Sequence, residues 1–454
     1  IAWCTASHFQ TVFSPPRMDP MWLDSRLRRH GAISRPCHLA PAGMNPSARH
    51  ENGIEGLRGF AALLVLYTHF LSSHDLDPNY SMHSYWRIFE ASQGAVLMFF
   101  ILSGYVIGLT NQREFSVANW KNYLSRRVLR IVPLCWLSLG LAMIVRPVGW
   151  DILLTNALFL QNTIPYGHWM MPVMTSNTNV WTLNYEAIYY LLFIVCWLRP
   201  SAWLIWTGVA VILSIAGWLL PGNWGPLAAS YALGWVFWLI GYGLSRIPAP
   251  RSPFRTLPWP SILCFWFAVW QLKPLWNICH RFELLPRESN AWANYAFIDF
   301  MPSCVVLMLA ASGRRVRMTR ALCWIAALIP SLYCLWMVAR GRTSLTTPDH
   351  CTIFCMIGWA FWWWRPDGVR RWARLASIGS VSYGLYILQR PVQWAVLDAA
   401  WLPSGSGVSF TLRFALAVAL TFAIAWWGEC RLQPWLRRRF TTAKASDSAT
   451  VHLA

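Results

Sequence analysis

Two ionisable residues lie eleven positions apart inside one apolar run, Gly53-Ile-Glu-Gly-Leu-Arg-Gly-Phe-Ala-Ala-Leu-Leu-Val-Leu-Tyr-Thr-His-Phe70, which carries Arg58 and His69. Charges in a spanning helix are costly and point to function. At about 100° per residue, eleven residues return to nearly the same helix face, and they rise about 16 Å. One face therefore offers a fixed cation at one end and a titratable imidazole at the other. Such a face suits a long anionic molecule, held at one end and reacted at the other. A second cationic group follows in Ser125-Arg-Arg-Val-Leu-Arg-Ile-Val-Pro133. Arg126 and Arg130 share a face at i, i+4, with Arg127 three residues before Arg130. Arginine presents forked donors that match phosphate oxygens, although positive-inside anchoring accounts for the cluster equally well. In Trp181-Thr-Leu-Asn-Tyr-Glu-Ala-Ile-Tyr-Tyr190, Glu186 sits one to two turns inside an apolar segment. That depth is comparable to the depth of His69, where a carboxylate would orient the imidazole; a structural pair with an Arg or Tyr elsewhere in the bundle accounts for it equally well. Asp299, Asp398 and Glu429 are further carboxylates within or beside apolar runs, with weaker claims. Ser103 and Gly104 are small residues in Phe99-Phe-Ile-Leu-Ser-Gly-Tyr105, which first suggests close helix packing.

The elements that must position these residues are membrane helices. The 454 residues are 56% hydrophobic and 12% charged, about half the charge fraction of a soluble protein. Mean hydropathy is +0.36. Apolar runs come close to the ~20 residues that span a bilayer. Twelve candidate spans follow: 54–72, 92–110, 128–146, 181–198, 202–220, 226–245, 259–276, 293–312, 321–339, 350–364, 376–401 and 408–430. The tenth is short enough to be re-entrant and the seventh is weak, so the expectation is an all-α polytopic membrane protein of 10–12 helices. Many of the 32 tryptophans mark segment ends, among them Trp120, Trp150, Trp181 and Trp401. A net charge of +20 invites a nucleic-acid reading. The basic residues fall instead in alternate loops, as orientation signals do, so no nucleic-acid partner is expected. Arg113 to Arg130, Arg246 to Arg255, Arg314 to Arg320, Arg365 to Arg374 and Arg431 to Arg439 bound these loops. Their alternation places both termini in the cytoplasm, Arg58 near that side and His69 near the outer face. The 147–180 segment is the longest outer loop, with an apolar stretch at Ile152–Leu160 and then His168. The twelve cysteines form no CxxC pair and read as small buried hydrophobes, with no metal site. Residues 1–49 form a polar leader and 441–454 a cytoplasmic tail. Residues 1–43 read as an upstream extension before a start at Met44, which N-terminal sequencing of the native protein checks.

Taken in order, Arg58-x10-His69, Phe99-Phe-Ile-Leu-Ser-Gly-Tyr105, Arg126-Arg-x-x-Arg130-Ile-x-Pro133 and Trp181-Thr-Leu-x-x-Glu186-x-x-Tyr-Tyr190 resemble the acyltransferase-3 family of integral membrane O-acyltransferases. Leu239-Ile-Gly-Tyr-Gly-Leu244, Ser382-Tyr-Gly-Leu-Tyr-Ile-Leu-Gln-Arg-Pro391 and Glu429-Cys-Arg-Leu-Gln-Pro434 extend the resemblance over about residues 50–440. Gln389 departs from it, because the family often has His there. The resemblance implies transfer of an acyl group, usually acetyl, from cytoplasmic acyl-CoA to a sugar hydroxyl, with no tightly bound cofactor. It implies that Arg126, Arg127 and Arg130, with Arg58, hold the CoA phosphates. His69 would act as general base, Ser103 would donate to the oxyanion or, as the lesser alternative, accept an acyl group, and Glu186 would support the centre. The acceptor would be a cell-surface or lipid-linked sugar and the location a bacterial inner membrane. A secondary transporter or exporter of a glycan is the alternative, since about twelve spans with midplane charges suit one. Binding of coenzyme A separates the two.

Overall fold

Backbone amides in hydrocarbon have no water to bond, so an apolar run of bilayer length satisfies them internally, as a helix. The computed structural model describes residues 46–71, 76–80, 88–162, 171–219, 224–248, 256–281, 298–342 and 349–439. Contacts divide the chain into Ile1–His38 and Leu39–Ala454, and the described residues belong to the second unit. The expectations for residues 1–43, Met44, His168 and the 441–454 tail lie outside the described residues.

Among the described residues, twelve helices of twelve or more residues carry the fold: α1 (Pro46–Leu71), α2 (Ser92–Thr110), α3 (Val117–Val145), α4 (Trp181–Leu198), α5 (Trp203–Leu219), α6 (Trp224–Arg246), α7 (Trp259–Leu272), α8 (Met301–Ser312), α9 (Thr319–Ala339), α10 (His350–Phe361), α11 (Ser382–Leu397) and α12 (Gly407–Trp427). Among the described residues, eight helices are long and apolar enough to cross a membrane, and three shorter apolar ones include α7 and α10. The chain is a polytopic helical membrane protein. The only strand pairing among the described residues joins Gln161–Asn162 to Met171–Pro172.

The helix ends differ from the expected spans for local reasons. α3 begins at Val117 because Ser116 caps it, its side chain accepting from Asn119 N–H; this puts Arg126, Arg127 and Arg130 well inside a 29-residue helix. The 259–276 span breaks at Lys273, which adopts a left-handed conformation (φ 41°) before Pro274. A short helix, Pro274–Arg281, follows, and Asp299 accepts from its Leu275 N–H at 2.8 Å. The 376–401 run divides into Ala376–Gly379 and α11. The apolar stretch in the 147–180 loop is the short helix Trp150–Ala157.

Burial sorts the helices around a packed centre. α6 buries Trp238, Phe237 and Leu239, while α5 leaves Leu204, Ile205, Ile212 and Leu219 exposed. On α3, Val128, Trp136 and Ile144 are exposed while Ile131, Leu134 and Cys135 are buried. An outward face of large apolar residues suits hydrocarbon. The tightest approach is between α2 and α6. A Cβ on Gly104 would lie 2.0 Å from the Trp238 carbonyl oxygen, and one on Gly241 1.9 Å from that of Ile101. Two backbones this close require glycine at both points, as small-residue interfaces in membranes do. Gly104 therefore packs, while Ser103, one residue earlier and about 100° around the helix, is left on another face.

Candidate active site

Five helices, α1, α2, α3, α4 and α11, wall a pocket of about 740 Å³, counting its open mouth. Arg58, Ser103, Arg127, Arg130, Glu186 and Tyr190 line it, with Thr182, Ser382, Tyr383 and Tyr386. Residues from five separate sequence motifs are thus brought together.

Each arginine is held differently. Arg58 is 8% exposed, and its guanidinium pairs with Glu55, one turn earlier on α1, at 2.5 Å. Arg127 lies over the rings of Tyr123 and Tyr190, at 5.5 and 5.6 Å. It also donates to Thr110 Oγ1 at 3.3 Å. A guanidinium between two π faces is fixed in direction without losing its charge. Arg130 has Tyr190, Glu429 and Glu186 as electrostatic neighbours. Its backbone carbonyl accepts from Gln433 Nε2 at 2.8 Å, which ties α3 to the segment after α12. Arg126 is exposed, donates to Asn111 Oδ1 at 3.2 Å, and does not line the pocket.

Glu186 accepts a hydrogen bond from the hydroxyl of Tyr190, one turn along α4. Sequence depth sets it level with His69, whereas the structure sets it in the pocket with Arg127 and Arg130. Glu429 reaches the same region from a π turn, Gly428–Leu432, that interrupts the last helix. It accepts from the Gly384 N–H at 2.7 Å. Such bulges re-aim side chains and recur at functional sites. Of the other border carboxylates, Asp398 forms a forked pair with Arg146 at 2.7 and 2.9 Å, and Arg146 lies 3.7 Å over the Trp394 ring. That latch joins the far ends of α3 and α11.

His69 is half-buried and does not line the pocket. It lies about 16 Å further along α1 than Arg58. The link between the two ends is α11. Ser382 and Tyr386 face the pocket, and the same stripe continues at helical spacing to Arg390 and Gln393. Gln393 Nε2 donates to the His69 carbonyl at 2.7 Å, and Arg390 Nη1 donates to Gln393 Oε1 at 3.0 Å. Arg390 is also a charged neighbour of His69 and of Tyr386. Gln389, where the resembled family often has His, is fully buried and donates to the Tyr386 carbonyl at 3.1 Å.

Sequence reasoning missed Tyr190, Tyr386, Arg390 and Gln393. An arginine in mid-span, on one stripe with a serine, a tyrosine and a glutamine, was the readable signal. Among the described residues no group of three or more His, Cys, Asp or Glu stands ready for a metal. Chemically, the arrangement offers a cationic cradle with one carboxylate and two aligned helices leading from it to an imidazole.

A family model described as an acyltransferase domain, that of acyltransferase family 3, matches residues 51–347. The match runs from within α1 through α9 and ends before α10. No curated protein and no solved structure matches the chain.

Proposed function

The chain belongs to acyltransferase family 3, and on that premise we propose that it moves a short acyl group, acetyl by preference, from acyl-CoA to a hydroxyl of a cell-surface or lipid-linked sugar. The observation that carries this reading is the pocket joining Arg58, Arg127 and Arg130, with α1 and α11 running from it to His69. Coenzyme A places its phosphates at one end and its thiol at the other, separated by a flexible arm. The three arginines hold the phosphates by charge-assisted hydrogen bonds. The arm follows the α1–α11 seam, and the thioester arrives at the imidazole. His69 takes the proton of the acceptor hydroxyl as its oxygen attacks the thioester carbonyl, which is general-base catalysis. Glu186, bonded to Tyr190, limits the positive charge of the cradle so that phosphate binding stays reversible. Ser103 lines the same pocket, and its hydroxyl is a donor to the arm or carbonyl passing it. With its donor on the cytoplasmic side and His69 towards the outer face, the protein acts in a bacterial cytoplasmic membrane.

The test is equilibrium binding of acetyl-CoA to the purified chain in lipid nanodiscs. Saturable binding that free coenzyme A competes away supports the reading. A chain that ignores acetyl-CoA yet moves glycan across vesicles would be a transporter.

A further inference from the structure

Arg390 and Arg413 lie on two helices packed against each other, α11 and α12, and they are used differently. Arg413 on α12 is 2% exposed and gives its donors to the backbone carbonyls of Pro403, Val396, Leu397 and Leu402. That is a structural pin for a chain reversal. Arg390 on α11 is half-buried, and its Nη1 donates to a side chain, Gln393, which itself holds the His69 carbonyl. The Gln393 amide is thus a two-ended spacer. It fixes the guanidinium against the turn of α1 that carries the imidazole. The same guanidinium neighbours Tyr386, which lines the arginine pocket. Arg390 therefore stands where the seam from the pocket reaches His69.

We propose that Arg390 is a catalytic residue, its guanidinium holding the acyl carbonyl oxygen while that oxygen becomes negative. This rests on the acyltransferase reading above. The hydroxyl proton passes to the His69 imidazole as the new C–O bond forms. The carbonyl π pair moves onto oxygen, facing Arg390. As the intermediate collapses the C–S bond breaks, and the thiolate leaves with the proton returned by the imidazolium. The products are an ester and free coenzyme A, with no oxidant or further reactant. A fixed cation aimed at the developing charge costs no reorganisation during the step, which is why such donors weigh heavily on turnover.

The experiment compares wild type, Arg390→Gln and Arg390→Lys. Acetyl-CoA binding is measured in nanodiscs, and ester-linked acyl groups are measured on the envelope glycan of cells carrying each variant. Arg390→Gln is expected to bind acetyl-CoA within about threefold of wild type, while its rate of ester formation falls roughly 100-fold or more, the usual cost of one lost oxyanion donor. Arg390→Lys is expected to recover part of that rate, since it keeps the charge and loses the fork. Wild-type ester levels in Arg390→Gln would overturn the proposal. So would a joint loss of binding and ester, which assigns Arg390 to donor binding or to the fold. Unchanged thiol release to water beside lost glycan ester would assign it to the acceptor, and also overturn the proposal. If Arg390→Gln does not fold, Arg390→Lys decides: normal binding with a reduced rate supports the role, and a wild-type rate refutes it. A wild type that neither binds acetyl-CoA nor forms ester removes the underlying reading, and is told apart by the wild-type arm alone.

Discussion

Arg126 and Arg130 are equivalent in the sequence, two cations on one helix face, and the structure separates them. Arg130 lines the pocket and Arg126 is exposed outside it. Replacing Arg130 by Gln removes one of three pocket arginines and leaves Glu186 and Glu429, both in its field, with less counter-charge. A hydrogen bond from a charged donor contributes about 1.5–3 kcal/mol. At 1.4 kcal/mol per tenfold, acetyl-CoA binding weakens roughly 10- to 150-fold. The uncovered carboxylates push the loss toward the upper figure. Arg126→Gln removes an exposed contact to Asn111. Exposed charge contacts contribute about 0–1 kcal/mol, so its effect stays below about fivefold. The assay is calorimetric or competitive binding of acetyl-CoA in nanodiscs at one fixed salt concentration, because exposed charges are screened by salt. Thermal unfolding of each variant controls for folding. Equal losses in the two variants would refute the reasoning, as would unchanged binding in Arg130→Gln.

Gly241→Val places side-chain atoms against the Ile101 backbone, where even a Cβ would sit 1.9 Å from the carbonyl oxygen. Overpacking costs about 1–3 kcal/mol, so thermal unfolding is expected several degrees lower, whereas Gly140→Ala, which meets nothing within 4 Å, leaves it unchanged or raised. Asp77, which follows α1, accepts from Ser409 Oγ at 2.7 Å and from the Asn79 and Gly405 N–H groups. Burial alone would raise its carboxyl, but these bonds and the Arg413 charge outweigh that and hold it below the usual carboxylate range. A lowered folded value contributes stability above the unfolded pKa of about 3.9, and that contribution is lost as pH falls through the folded value. Asp77→Asn should therefore lower the unfolding temperature at neutral pH, with the gap to wild type closing below about pH 4. A constant gap across that range would show that the carboxylate charge contributes nothing.

The spans were legible because bilayer thickness dictates run length, and most apolar runs became helices close to their expected bounds. Ends were less legible where one residue decides them, as at Ser116 and at Lys273 before Pro274. In the site, Arg58, Ser103, Arg127, Arg130 and Glu186 stood out because ionisable or small polar groups are conspicuous in apolar helices, and the structure gathers these five into one pocket. Sequence could not tell Arg126 from Arg130, since helical spacing gives faces but not which neighbour a face meets. For the same reason it left Glu186 open between a partner of His69 and a pair with an Arg or Tyr, and could not say that Tyr190 and the pocket arginines are the ones beside it. Arg390 and Gln393 were hidden because their meaning depends on α11 lying against α1, more than three hundred residues away in the chain.

The central claim is acyl transfer at His69, and it is tested most directly in cells. The gene is deleted in its host and restored as wild type or as His69→Ala, and ester-linked acyl groups on the surface glycan are measured by base-labile mass loss. The account predicts that the ester disappears on deletion, returns with wild type, and stays absent with His69→Ala although that variant reaches the membrane in normal amount. Full ester with His69→Ala, or a deletion that reduces glycan quantity while leaving its acylation intact, would contradict it.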